Sequence, residues 1–275
     1  MSETRAARAD SHIHLFQHGF SAAEDPGAEL ATYLSLRERY GIDEALVVGY
    51  EGHPQFAGNN EYILALAMTH SWIHPTLFLD PQRPPTPSEI ESDRARGAVG
   101  YSLYLGADPE LTAAIPRETW DALSHTRSIL SVNASPEAVS GAEPRFRDAD
   151  GACVLLSHLG LPGDLAQASA AEVQQRIAPI SRLADAPNVS VKLSGLYATD
   201  PAFPHTAGTH VARELIAAFG PRRTLWGSDY APGLSALSEP ELFALPDPIR
   251  DDLTEDELES VLGGALRAVL AGAHT

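Results

Sequence analysis

Ala9-Asp10-Ser11-His12-Ile13-His14-Leu15 reads as a short strand close to the N-terminus. Side chains alternate along a strand, which puts His12 and His14 on one face together with Asp10 and turns Ser11, Ile13 and Leu15 to the other. Two imidazoles converging from one strand end make half of a divalent-metal site, because neutral imidazole suits Zn²⁺ and its neighbours. A bare His-x-His also occurs in surface loops, so its meaning depends on what stands at the ends of later strands.

Outward from this stretch the chain alternates apolar, β-branched runs with amphipathic helical patterns, as a parallel sheet covered by helices requires. Asp25-Pro26 offers an N-cap and a proline at the first helical position for a helix that reaches Tyr40 and closes at Gly41. Further strands are expected over 45–49, 72–80, 98–105, 128–133, 153–158, 189–195 and 224–229. Helices are expected over 59–71, 88–96, 117–126, 170–184, 209–219 and 254–270, whereas 134–150 is poorly patterned. About eight strand–helix units without a domain-sized linker is the count of a (β/α)₈ TIM barrel, an α/β fold that commonly runs to about 250 residues. One domain over residues 1–275 is therefore expected. An open doubly wound sheet is the alternative, but no Gly-rich phosphate fingerprint follows the first strand.

With 44% hydrophobic and 20% charged residues the composition is that of an ordinary globular domain. A net charge of −18 argues against nucleic acid or an anionic membrane as partner, since both need a basic footprint. No apolar run approaches the roughly 18 residues of a membrane span, and the polar start lacks a signal-peptide core. A cytoplasmic protein with a small-molecule substrate is the simplest expectation, and a homodimer is compatible with it. The single cysteine, Cys153, reads as a small buried hydrophobe. His18, His70, His125, His210 and His274 read as surface residues, and His74 lies inside the third strand.

In such barrels the reactive groups sit at the C-terminal ends of strands. The polar residues there are His12 and His14 on the first strand, Asn133 on the fifth, His158 on the sixth, Lys192 and Ser194 on the seventh and Asp229 on the eighth. Lys192 alternates away from Val189, Val191 and Leu193 and so points inward, where an ammonium is costly unless paired. A simple Lys192–Asp229 pair is one explanation. Taken together, however, three histidines and an aspartate at separate strand ends match a mononuclear hydrolytic centre. There a metal polarises a carbonyl and lowers the pKa of bound water to about 7, and Asp229 takes the proton.

The chain resembles the amidohydrolase superfamily, and within it the amidohydrolase family two branch of TIM-barrel metal-dependent hydrolases, which includes sugar lactonases and pyrone-dicarboxylate lactonase. The matching pieces are Asp10-Ser-His12-Ile-His14, Asp80-Pro81, Ser157-His158-Leu-Gly160-Leu-Pro162, Val191-Lys192-Leu-Ser194-Gly195-Leu-Tyr197 and Phe219-Gly220-Pro-Arg222-Arg223-Thr-Leu-Trp-Gly227-Ser228-Asp229-Tyr-Ala-Pro232. They run in order through nearly the whole chain. The resemblance implies His12, His14, His158 and Asp229 as ligands of one Zn²⁺, or Mn²⁺ in its place, with Asp229 as general base. It equally implies a metal-free variant in which the same residues act directly.

The chain also departs from that pattern. Asn133 stands where many relatives carry a fifth-strand histidine, and the fourth strand, Gly100-Tyr-Ser-Leu-Tyr104, has neither a lysine to bridge two metals nor the arginines that hold a substrate carboxylate. Residues expected to contact substrate are Tyr50, His53, Tyr104, Asn133, Tyr197 and Tyr230, a largely aromatic set suited to a small, weakly charged ring bearing a carbonyl. The expected activity is opening of a small lactone, with His158 stabilising the oxyanion or ligating and Lys192 polarising the carbonyl. Cyclic-amide hydrolysis, decarboxylation and a lapsed barrel that only binds a small molecule are the alternatives.

Overall fold

The computed structural model describes residues 7–21 and 25–273. Eight strands form one parallel sheet in the order in which they occur: β1 (Arg8–Ile13), β2 (Ile42–Val48), β3 (Ile73–Leu79), β4 (Gly100–Gly106), β5 (Ile129–Ala134), β6 (Cys153–Leu156), β7 (Val189–Leu193) and β8 (Thr224–Trp226). The sheet curls until its edges meet through a parallel bridge between Ile13 and Tyr230. There His14 N donates to Tyr230 O at 2.5 Å and Asp229 N donates to His12 O at 2.9 Å. The result is the expected TIM barrel.

Seven helices cover the barrel: α1 (Ala28–Tyr40), α2 (Asn59–Ala67), α3 (Pro87–Ala95), α4 (Arg117–His125), α5 (Pro136–Asp148), α6 (Ala170–Arg182) and α7 (Thr206–Phe219). Short helices α8 (Glu239–Leu242), α9 (Asp247–Asp251) and α10 (Glu255–Glu259) lead to α11 (Ala265–Ala273). Capping boxes at Thr86/Glu89, Ser169/Glu172 and Thr254/Glu257 start α3, α6 and α10, each contributing about 1 kcal/mol by satisfying orphan N–H groups. No described helix is long and apolar enough to cross a membrane.

Four expectations need correction. Helix α1 starts not at Asp25-Pro26 but after Gly27, whose φ of 82° makes the turn that only glycine adopts cheaply. The unpatterned stretch before Asp150 is helix α5; its Ser135 cap and Pro136 signal the start, but Pro144 inside it hides the period. The single C-terminal helix is split by a wide π turn at Ser260–Gly264, where Gly263 presses on β1: a Cβ there would lie 2.9 Å from Ala9 N. Strands β6 and β8 are shorter than expected, because His158 and Asp229 turn into left-handed backbone just beyond them.

Inside the barrel, Ala9, Leu46, Val99, Ile129, Leu155 and Leu225 pack against Ala265, Leu266, Leu270 and Ala273, so that α11 plugs the lower end. Cys153 packs against this cluster, and burial pushes its thiol up to about 12. His74 pairs with Glu44 at 2.5 Å near the start of β3, away from the strand ends that carry the other histidines. His18, His125 and His210 are exposed and His70 is half-buried, while His274 lies outside the described residues.

Candidate active site

Strand β1 reaches the mouth with its alternation broken. Asp10 pairs with Ala45 and Ile13 with Val47, so three steps on β1 face two on β2 and the strand carries a bulge. Asp10 therefore does not share a face with His12. Its carboxylate accepts from the Tyr33 hydroxyl of α1 at 3.2 Å, from Ser228 N at 2.8 Å and from His12 N at 3.2 Å. Burial raises its carboxyl to about 6. Asp10 ties the bulge to the β8 end, which fixes the two termini of the site relative to each other.

At the bulge and just past it His12 and His14 converge, with Nε2 atoms 3.2 Å apart. His14 Nδ1 faces Val48 O at 2.7 Å; a carbonyl can only accept, so the proton lies on Nδ1 and Nε2 keeps its lone pair. From β6, His158 brings Nε2 to 4.0 Å from Asp229 Oδ1, and His12 Nε2 lies 3.7 Å from the same oxygen. Among the described residues, His12, His158 and Asp229 are the one group of three whose ligand atoms fall within 4.8 Å of one another. His14 stands beside this group rather than in it.

Backbone geometry forces these side chains inward. His158 has φ 53° and Asp229 φ 63°, a left-handed conformation costing non-glycine residues roughly 1–2 kcal/mol each, and one that clusters at functional sites. Two glycines clear the space. A Cβ on Gly195 would lie 2.5 Å from His158 Nδ1, and one on Gly227 would lie 2.9 Å from His12 N.

Electrostatics keeps the imidazoles neutral. Burial, and after it the Lys192 charge, pushes His12 well below its ordinary value. Burial lowers His14 to about 4 and also lowers His158. Asp229 Oδ2 accepts from the Tyr197 hydroxyl at 2.5 Å, whereas Oδ1 is buried with no hydrogen-bond partner. An unpartnered buried carboxylate oxygen is costly, and here it faces two neutral imidazole nitrogens. That donor set of two nitrogens and one oxygen, with an orphaned anion oxygen at its centre, fits a divalent cation.

Lys192 occupies a different place from the one expected. It is fully buried, and its Nζ lies 2.7 Å from Ser131 Oγ and 3.3 Å from His12 Nδ1. It therefore stands behind His12, out of reach of a substrate carbonyl, and it forms no ion pair with Asp229. Burial lowers its ammonium to about 7. Ser194 Oγ lies 3.1 Å from His158 Nδ1 and accepts from His158 N at 3.3 Å; a hydroxyl both donates and accepts, so it serves either tautomer of the ring.

A cavity of about 290 Å³ opens over these groups, lined by His14, His158, Asp229, Tyr197, Asn133, Tyr104, Tyr50, Phe16 and Phe20 among others. Four of the expected contact residues, Tyr50, Tyr104, Asn133 and Tyr197, thus reach it. Tyr230 does not: its ring packs on Tyr33 and its hydroxyl donates to Glu29 O at 2.7 Å. His53 is exposed and caps a short turn, accepting from Gln55 N. Phe16 and Phe20 were missed, although Phe16 continues the inward period of His12 and His14. Ser131 was also missed, because a serine inside an apolar strand carries no distinctive signal.

Over residues 9–270 the sequence matches the amidohydrolase family model. The chain belongs to the amidohydrolase family. A search of curated proteins finds no match. Among solved structures, an amidohydrolase from Burkholderia multivorans with bound HEPES superposes at a TM-score of 0.82 with 18% identity, over 97% of this chain and 99% of that one. A zinc-bound amidohydrolase structure from the same organism gives 0.79 at 19% identity, over 97% and 99%. A Pseudomonas putida protein named as a 2-pyrone-4,6-dicarboxylic acid hydrolase gives 0.74 at 18%, over 98% of each chain. At these identities the likeness is one of fold, and the family match makes this amidohydrolase an enzyme, a hydrolase with a His/His/Asp centre suited to a divalent metal.

Proposed function

We propose that this amidohydrolase opens a small cyclic ester by attack of water at the mouth of the barrel. The observation that carries this is the unpartnered Oδ1 of Asp229, buried and facing the ring nitrogens of His12 and His158. A water placed against Oδ1 has an acceptor for the proton it loses as it attacks. Tyr197, donating to Oδ2, holds the carboxylate plane and leaves Oδ1 as the open acceptor.

His158 reaches the same point from the β6 side. Without an ion, and with Ser194 donating to Nδ1, its Nε2–H is available to the oxygen that gains charge as the carbonyl carbon becomes tetrahedral. In the other tautomer Nδ1–H donates to Ser194 Oγ, and Nε2 keeps the lone pair a ligand needs. His12, His158 and Asp229 would hold a divalent ion, with Zn²⁺ suited to this donor set and Mn²⁺ an alternative. Such an ion, when bound, supplies Lewis acidity to the carbonyl and acidity to water. His12 is oriented by Lys192 and Ser131 behind it, the kind of supporting contact that fixes a reactive imidazole.

Titration of acid release from a panel of four-carbon to six-carbon ring lactones tests the proposal. Acid release that needs Asp229 supports it. Release of ammonia or an amine from cyclic amides, with every lactone inert, would replace it with C–N hydrolysis.

A further inference from the structure

One side of the cavity is a continuous aromatic wall. Phe16, Phe20, Tyr50 and Tyr104 line it, and Phe56 and Phe78 back it. Ring centroids are 4.2 Å apart for Phe16–Phe56, 4.6 Å for Tyr50–Tyr104 and 5.5 Å for Tyr50–Phe78, distances at which aromatic pairs attract. Four of the eight phenylalanines in the sequence stand here.

The wall is held by buried and half-buried polar groups. The Glu29 carboxylate accepts from Phe16 N at 2.7 Å and Phe20 N at 2.6 Å. Asn59 accepts from Tyr50 N at 3.0 Å and donates to Leu15 O at 2.8 Å, while Asn60 accepts from Phe78 N at 2.7 Å. These contacts fix the backbone from which the rings project, so the surface is preformed.

The facing side carries His158, Tyr197 and Asp229, and among the described residues no arginine or lysine lines the cavity. The only lysine in the sequence is Lys192, sealed behind His12. A carboxylate entering this space would lose its water beside the Asp229 anion with no arginine or lysine among the lining residues to offset the loss.

We propose that the pocket takes an uncharged cyclic ester fused to an aryl ring and rejects lactones that carry carboxylates, a specificity that rests on the hydrolase assignment above. The aryl face lies on Phe16, Phe20, Tyr50 and Tyr104, and the ester carbonyl points to Asp229 and His158. In the reaction, the water oxygen bonds to the carbonyl carbon, the ring C–O bond breaks, the ring oxygen takes a proton and the new carboxyl group releases one. The product is an anion in a pocket with no arginine or lysine among its lining residues, which favours its departure. The Pseudomonas putida neighbour carries a dicarboxylic acid in its name; among the described residues lining this cavity there is no arginine or lysine to hold one.

Measurement of kcat/KM for dihydrocoumarin, a neutral aldonolactone and 2-pyrone-4,6-dicarboxylate tests this directly. Dihydrocoumarin is expected to exceed the dicarboxylate by at least about 100-fold and the aldonolactone by about 10-fold. Phe20→Ala should raise KM about tenfold more for dihydrocoumarin than for the aldonolactone. Equal or better turnover of the dicarboxylate overturns the specificity and leaves the hydrolase assignment intact. Calorimetric binding of α-tetralone, an aryl-fused ketone with no ester, separates the other failure. Binding without turnover of any lactone removes the hydrolase assignment and keeps the aryl pocket, whereas no binding and no preference for the aryl lactone overturns the pocket.

Discussion

His12 Nε2 lies 3.7 Å from Asp229 Oδ1, although the two residues belong to the first and last strands of the barrel. Closure of the sheet creates that proximity: Asp229 N donates to His12 O, and Asp10 accepts from both His12 N and Ser228 N. The reactive pair is thus a property of the seam between β1 and β8, and whatever loosens that seam separates base from imidazole.

Lys192 supports His12 from behind and touches no substrate. Lys192→Met removes the contacts to His12 Nδ1 and Ser131 Oγ while keeping most of the buried volume. Replacing a buried charge by an apolar side chain is often neutral or stabilising, so the melting temperature should hold or rise. kcat should nevertheless fall roughly 10- to 100-fold with KM little changed, as for loss of a supporting contact. Unchanged kcat would show that His12 needs no partner on Nδ1.

Gly195 is needed for space and for its backbone conformation. With φ 60° and only 2.5 Å between a built Cβ and His158 Nδ1, Gly195→Ala has no low-energy response. Strain and overlap together should cost about 2–4 kcal/mol in urea unfolding. His158 must also move, so activity should fall more than stability predicts. A variant as stable and active as the parent would contradict the close packing of this turn.

Stability of the metal-free protein should fall with acid. Burial lowers His12 and His158 and brings His14 to about 4. The unfolded chain binds protons below about 6.5 that these folded imidazoles refuse, so their contribution is present above that pH and lost below it. Asp10, raised to about 6, acts in the opposite sense. It binds a proton when folded at pH values where the unfolded carboxyl is ionised, returning stability between about 6 and the ordinary carboxyl value of 3.8. Lys192, lowered to about 7, contributes a slope only above that value. Three imidazoles outweigh one carboxyl, and the urea midpoint should drop between about pH 6.5 and pH 5. His14→Gln should flatten the slope; a midpoint that rises over this window would contradict neutral buried imidazoles.

Much of this architecture is legible in the sequence. Strands such as β2, β5 and β6 are largely apolar runs that read as buried on both faces, and capping residues such as Thr86, Ser169 and Thr254 mark helix starts. Legibility fails where local period and tertiary packing disagree. Pro144 conceals α5, and Gly263 splits the last helix because β1 presses against it. The same holds in the site. Alternation alone puts Asp10 with His12, and only pairing with β2 reveals the bulge. Burial of Lys192 and inward direction are both readable from its neighbours, but its seat behind His12 depends on Ser131, a residue from another strand. Tyr230 follows Asp229 in sequence yet turns toward α1, since adjacent residues beyond a strand end need not share a face.

The most direct measurement is the turnover of Asp229→Asn on a lactone that the parent enzyme hydrolyses, alongside its melting temperature. The substitution keeps the shape and removes the anionic acceptor. The expected result is a fall in kcat of about 10³-fold or more with the fold intact. An Asp229→Asn enzyme that retains most of its kcat would contradict the assignment of the seam between β1 and β8 as the catalytic centre.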